Sequence, residues 1–399
     1  MDNLLIYLLL LLAIMAGWFL GRLRFRSKRV AISRNTEDIF HDYFVGLNYL
    51  LNDEPDEAID TFIKTLEINN ESIETHLALG ALLRRRGKVD RAIKVHQTLL
   101  ARQGQDKSLF DSTRLELALD YITAGLLDRA ERLLKEILQD SKDSGEVRPK
   151  ALKQLVKIYQ TEKEWEKALD YIQQLLVGQQ HGMDSELRSI AAHYCCELAE
   201  SLLKQQQMRR AQEQIRRAFT FDRKHVRSSL ILAKLEQQLG NSRAAIKELL
   251  RILRNYPVFS TSVLELWNEW FEKNTQSEEL ETLLTEQLIN TPDAIVIQHL
   301  ARLVQLKHGD EESMQFLEAH FQKHPSLQCM VSLLDLHITR TGGTVGDDLS
   351  RVREQLAALL EKKYRYQCNH CGYESRKLYW LCPSCLNWDK ICPVSEEKS

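Results

Sequence analysis

Three kinds of hydrophobic patterning follow one another along the chain. Leu4 to Leu20 reads LLIYLLLLLAIMAGWFL without a charged side chain. With Gly21 this run would reach about 27 Å at about 1.5 Å per residue, close to the thickness of a bilayer core. It predicts one membrane-spanning helix over residues 1–21. Arg22, Arg24, Arg26, Lys28 and Arg29 follow at once, whereas only Asp2 and the amino terminus precede it. That asymmetry puts the downstream chain on the cytoplasmic side, after a basic juxtamembrane linker over 22–38. A cleaved signal peptide fits less well, because there is no basic n-region and no A-x-A site. Gly17 and Gly21 form a G-x-x-x-G step through which two anchors could pack as a homodimer, although glycine is common in spanning helices.

From about residue 39 the pattern changes to helical periodicity, with small residues returning about every 34 positions. Gly46, Tyr49, Ala58 and Phe62 mark a first unit, and Leu79, Gly80, Gly87 and Ala92 a second. Ala118, Tyr121, Gly125 and Ala130 mark a third, and Tyr159 and Ala168 a fourth. Ala58 to Ala92 and Ala211 to Ala245 are each 34 residues, while steps of 38, 38 and 43 lie between and require longer turns. This is the period of the tetratricopeptide helix pair, in which alanines sit where two helices cross. Six such repeats are predicted over 39–259. Pro257, Pro292 and Pro325 keep a similar beat, so divergent repeat-like helices are expected over 260–340. Thr341 to Gly346 interrupts the pattern, and a linker and capping helix, from about Asp348 to Lys363, fill 341–365. The fold class is therefore all-α, a repeat superhelix carrying a small terminal domain. Stacked helix pairs present a concave groove and bind other proteins far more often than they catalyse.

The third pattern occupies 366–399, where aliphatic residues thin out and cysteines appear in pairs. Cys368-x2-Cys371 and Cys382-x2-Cys385 are separated by ten residues. Each knuckle aims two sulfurs at one point, and two knuckles complete the tetrahedron that Zn2+ or rubredoxin-type iron accepts. Four thiolates leave no open position for substrate water, so a structural ion is expected rather than a hydrolytic centre. A ribbon of this size would draw on the order of 10 kcal/mol of its folding free energy from the metal. Tyr366, Tyr373, Tyr379, Trp380 and Trp388, with Leu378, Leu381, Leu386 and Ile391, are expected to form its miniature core. Cys392 is left out because the knuckles already fill the tetrahedron, and His370 is read as supporting the ligands from outside the cage or facing solvent.

The net charge of -2 over 399 residues gives no general attraction to nucleic acid. In the tail, Arg376, Lys377 and Lys390 are balanced by Glu374, Asp389, Glu396 and Glu397, which argues against the alternative of a nucleic-acid-binding ribbon. Iron cycling at the knuckles, a redox protein, is the other alternative. His320 and His324 read as a solvated helix face, Cys195 and Cys196 as core packing, Cys329 as an isolated thiol at a helix start. The Arg84-Arg85-Arg86 triplet reads as cationic complement to a helix C-terminus. No Walker loop, dinucleotide fingerprint, G-x-S-x-G elbow or H-E-x-x-H motif is present, so no catalytic residues are assigned.

An anchor with a basic flank, tetratricopeptide repeats, and a tail reading Tyr366-x-Cys-x2-Cys-Gly-Tyr and Trp380-x-Cys-Pro-x-Cys-x2-Trp388 together resemble the lipopolysaccharide assembly protein B family. The resemblance covers essentially the whole chain. It implies a rubredoxin-like tail whose metal ligands are Cys368, Cys371, Cys382 and Cys385. Their ten-residue separation is shorter than in true rubredoxins, which favours a structural ion over electron transfer. It also implies an adaptor on the cytoplasmic face of a Gram-negative inner membrane. Such an adaptor helps the FtsH protease degrade LpxC, the deacetylase of lipid A synthesis, and gathers other lipopolysaccharide enzymes.

Overall fold

The computed structural model describes residues 15, 45, 48–49, 73–101, 107–140, 145–178, 184–271, 278–290, 293–341 and 344–394. The predicted anchor and linker and nearly all of the first repeat lie outside these residues, and so does Pro292. Among the described residues no helix is long and apolar enough to cross a membrane. The chain divides into two compact units, Met1–Glu162 and Lys163–Ser399.

In the first unit, α1 (Ile73–Arg85), α2 (Val89–Leu100), α3 (Lys107–Thr123), α4 (Leu127–Asp140) and α5 (Val147–Thr161) succeed one another in antiparallel pairs. Leu79, Leu83, Ala92 and Leu99 are buried between α1 and α2. Gly80 is required there, because a Cβ at this position would stand 2.2 Å from the His96 ring of α2. A buried polar knot ties three helices together. Asp120 of α3 accepts from Arg84 of α1 at 2.7 Å and from His96 Nδ1 at 2.5 Å, and Arg84 also reaches Glu116 at 2.7 Å. Arg84 and Arg85 lie in the last turn of α1, as the reading of the triplet has it, and Arg84 does more. Arg84 is an inter-helix ion-pair partner in a site with 15% of its side chain exposed, and only Arg85 and Arg86 face solvent.

The second unit holds α6 (Trp165–Gly178), α7 (Asp184–Lys204), α8 (Met208–Phe221), α9 (Val226–Gln238) and α10 (Ser242–Asn255). A 3-10 turn at Pro257–Phe259 leads into α11 (Ser260–Trp270), α12 (Glu278–Asn290), α13 (Ala294–His308), α14 (Asp310–Lys323), α15 (Leu327–Thr341) and α16 (Thr344–Lys362). The first helices of successive pairs, α7 with α9 and α11 with α13 and α15, pack on one another, as do the partners in α7/α8, α9/α10, α13/α14 and α15/α16. Ala211, Ala233 and Ala245 are wholly buried at the crossings. One core runs through Leu249, Val263, Trp267, Leu284 and Leu300, and a second through Ile297, Leu317, Cys329 and Leu336. The glycine segment 341–346 breaks the helix more briefly than expected: α15 extends to Thr341 and α16 starts at Thr344, which places Gly346 inside a helix. His320 turns its Nδ1 to the Phe316 carbonyl at 2.8 Å, and His324 caps the end of α14.

A three-stranded antiparallel sheet closes the described chain, with strands β1 (Tyr366–Cys368), β2 (Glu374–Ser375) and β3 (Ile391–Pro393) in the order β2-β1-β3. Tyr366 pairs with Ser375 on one side and Pro393 on the other, and Cys368 pairs with Ile391.

Candidate metal centre

The two knuckles are built alike. In the first, the Cys368 N–H donates to the Tyr373 carbonyl and the Gly372 N–H to the Cys368 carbonyl, at 2.8 and 2.9 Å. In the second, the Cys382 N–H donates to Asn387 and the Leu386 N–H to Cys382, at 3.0 and 2.9 Å. The residue after each second cysteine must be left-handed for this closure. Gly372 takes φ +75 without strain, and Leu386 takes φ +54 against the preference of a side-chain-bearing residue.

These turns bring all four sulfurs within 4.8 Å of one another. Cys368 Sγ lies 3.8 Å from Cys385 Sγ, and Cys371 Sγ lies 3.6 Å from Cys382 Sγ. A tetrahedron with metal–sulfur bonds of about 2.3 Å has edges of about 3.8 Å, so the cage fits a four-coordinate ion. No cysteine of the chain is disulfide-bonded. The Tyr373 N–H, with the neighbouring thiols, draws the Cys371 thiol down to about 6, whereas burial pushes Cys382 up to about 11. Cys392 stays outside the cage and accepts from Asn369 Nδ2 at 3.4 Å. His370 is exposed.

The expected miniature core is only half present. Tyr366, Cys368, Cys382 and Ile391 are buried with Tyr373 and Leu378 against them, but Tyr379 and Leu386 are exposed at 43% and 46%. Trp380 and Trp388 turn away from the sheet and onto the helices. Trp388 stacks on His193 of α7 with ring centroids 4.5 Å apart and 16° between planes, and meets Trp165 and Tyr194 edge-on. Trp380 stacks on Phe259 at 5.5 Å. Around this aromatic seat, Asp389 accepts from Ser189 at 2.9 Å and from His193 Nε2 at 2.8 Å, and Arg365 reaches Glu265 at 3.1 Å. The ribbon is thus docked on α6, α7 and α11 rather than hung from α16. Sequence reasoning missed the helix side of this interface. The only signal was two tryptophans too many for a ribbon core, set against a histidine inside the apolar run Ala191-Ala-His-Tyr-Cys.

Cys195 and Cys196 are both wholly buried, and desolvation pushes each thiol to about 12, which makes them inert packing residues as expected. A cleft of about 370 Å³ lies between α11, α13, α14 and α15, lined by Asn268, Gln298, His299, Arg302, Gln305 and Asp335 among others.

Residues 366–393 match the family described as a rubredoxin metal binding domain, and residues 75–108 and 196–259 match tetratricopeptide repeat families. Lipopolysaccharide assembly protein B of Escherichia coli K12 is 31% identical over 395 residues, which is 98% of each chain. This chain belongs to the lipopolysaccharide assembly protein B family. The Haemophilus influenzae protein of the same name is likewise 31% identical, over 99% of each chain. A solved structure from work on Pseudomonas aeruginosa pilF covers 59% of this chain and 99% of its own at 19% identity, with a TM-score of 0.32. In this member of the lipopolysaccharide assembly protein B family, then, an all-α repeat array carries a C-terminal ribbon whose four cysteines suit one structural metal ion.

Proposed function

We propose that the protein is a membrane-tethered adaptor in the regulation of lipopolysaccharide biosynthesis, held at the bacterial inner membrane by residues 1–21 with its bulk in the cytoplasm. Cys368, Cys371, Cys382 and Cys385 hold one zinc or iron ion that keeps the ribbon folded. The clients are the FtsH-type protease and the LpxC deacetylase, and the adaptor promotes degradation of the second by the first while gathering other lipopolysaccharide enzymes. The observation that carries this reading is the full-length match to proteins named lipopolysaccharide assembly protein B, over 98% of each chain. Physical considerations support it. A ribbon seated on the helices by tryptophans makes one continuous surface from two kinds of fold, suited to holding partners. Confinement to a membrane plane would raise the effective concentration of tethered partners, so that weak contacts in the 370 Å³ cleft suffice.

The test is the half-life of the deacetylase in cells that carry the full chain, a version lacking residues 1–21, or Cys382→Ser with Cys385→Ser. The full chain should shorten the half-life severalfold relative to a deletion strain, and both variants should lose most of that effect. An unchanged half-life across all strains would dispose of the proteolytic adaptor. An unchanged half-life on removal of residues 1–21 alone would dispose of the tether.

A further inference from the structure

Where the ribbon meets the helices, three side chains that the knuckles do not use converge. His193 comes from the middle of α7, His225 from the N-cap of α9, and Asp389 from the turn after the second knuckle. One ligand-capable atom of each lies within 4.8 Å of those of the other two. We propose that His193, His225 and Asp389 form a second metal site, distinct from the four-thiolate cage, which takes a divalent cation of the zinc class and clamps the ribbon to the helices.

Both imidazoles are available as ligands. Burial holds His193 below the usual histidine range, and burial together with the neighbouring His193 holds His225 down to about 3, so both rings are neutral and each can present one unprotonated nitrogen, His193 by shifting to its buried, unpartnered Nδ1 the proton that Nε2 now donates to Asp389. The side chain of His193 is wholly buried and His225 is 4% exposed. The rings stand edge to face at 4.3 Å without a hydrogen bond between them. His225 Nε2 is buried with no hydrogen-bond partner, an arrangement that ordinarily costs about 1–3 kcal/mol and calls for an explanation. A cation supplies one.

The surroundings are those of a ligand set. Coordination through Nε2 moves the His225 proton to Nδ1, which exchanges its role as acceptor of the Ser228 N–H at 3.3 Å for donation to Ser228 Oγ at 2.7 Å, and Ser228 Oγ is in turn 3.2 Å from Cys196 Sγ. The Ser189 hydroxyl donates to Asp389 Oδ2 at 2.9 Å, which leaves Oδ1 directed at His193 Nε2, 2.8 Å away. Partners of this kind orient ligands and fix tautomers in metal sites. A tetrahedral ion with bonds of about 2.0 Å separates its ligands by about 3.3 Å, against 2.8 Å between Asp389 Oδ1 and His193 Nε2 and no more than 4.8 Å between any two of the three ligand atoms. Insertion therefore requires shifts of side chains and no rearrangement of the helices. Water completes the fourth position. Arg227 lies close by, but Glu197 at 2.8 Å and Glu200 at 3.2 Å engage its guanidinium and offset its charge. Asp389 is also one of four non-glycine residues with positive φ among those described, at +54, a conformation that delivers its carboxylate to α7.

The experiment uses the full chain with its knuckles intact. Protein stripped with chelator and titrated with Co2+ should bind two equivalents. The first should give the intense thiolate charge-transfer band of the cage. The second should give only weak ligand-field bands of a nitrogen and oxygen site. His225→Gln and Asp389→Asn should keep the first band, which also shows that the ribbon remains folded, and should weaken the second equivalent more than tenfold. A single equivalent in the unaltered chain would overturn the proposal, as would a second equivalent of equal affinity in both variants. Neither result bears on the adaptor reading, which is judged by deacetylase half-life.

Discussion

Leu386 occupies the place that Gly372 fills in the first knuckle, with φ +54 where the glycine has +75. A left-handed residue with a Cβ costs roughly 1–2 kcal/mol, partly offset by the greater chain entropy of glycine when unfolded. Because Leu386 is 46% exposed, little packing is lost on its removal. Leu386→Gly should therefore raise the stability of the ribbon by about 0.5–1 kcal/mol, read as a higher denaturant midpoint for loss of the thiolate–metal absorption. A lower midpoint would mean that the leucine side chain matters more than the backbone it strains. Trp388 is the opposite case. It is 6% exposed and sits among His193, Trp165 and Tyr194, so Trp388→Ala should cost about 3–5 kcal/mol, whereas Tyr379→Ala on the open face should change stability by less than about 0.5 kcal/mol. Equal effects at the two positions would contradict the docked geometry. Both aromatics look alike in the sequence, since composition marks a residue as worth burying without saying which surface buries it.

Among the elements, what could be read from the chain follows from local chemistry. Gly87, Gly125 and Gly240 each end a helix at φ of +74 to +80, with the paired backbone bonds that such a cap makes. The crossing alanines were legible for the same reason, as only a small side chain permits the close approach of α9 and α10 at Ala233 and Ala245. What escaped was long-range: Arg84 finding Asp120 on a helix 36 residues away, and His193 finding Asp389 at a separation of 196. No periodicity encodes these meetings. His299 of α13 gives a pH test at this scale. Burial, reinforced by Arg302 on the same helix, lowers it to about 4, and Asp335 of α15 lines the same cleft. With about 6.5 in the unfolded chain, the unfolded state binds the extra proton between these values, so stability contributed by His299 is complete above about pH 6.5 and declines as pH falls towards 4. At pH 5 the loss is about 2 kcal/mol. His299→Gln should flatten the fall of the thermal midpoint between pH 7 and 5. An identical slope in the variant would show that other groups govern it.

At the scale of the second unit, the cage and the helix array are thermodynamically linked. Metal supplies most of the ribbon's folding free energy, and the folded ribbon covers Trp165, His193, Tyr194 and Phe259, which would otherwise face water. Loss of the ion should therefore be felt on helices that touch no metal ligand. On chelation, amide hydrogen exchange should quicken throughout 366–393 and also in α7, the start of α9 and the turn at Pro257–Phe259. Helices α1–α5, in the other compact unit, should exchange unchanged. Cys382→Ser with Cys385→Ser should reproduce that pattern without chelator, because removal of two thiolates and removal of the ion reach the same unfolded ribbon. Faster exchange confined to 366–393 would mean that the helices hold their shape without their cover, and that the ribbon is a passenger. Faster exchange along the whole array would mean that the helix pairs unfold as one cooperative block. The expected result lies between these, because the apolar contacts of each pair are made mainly with its nearest neighbours. A defect introduced at the ribbon seat should then fade within one or two helix pairs of α7.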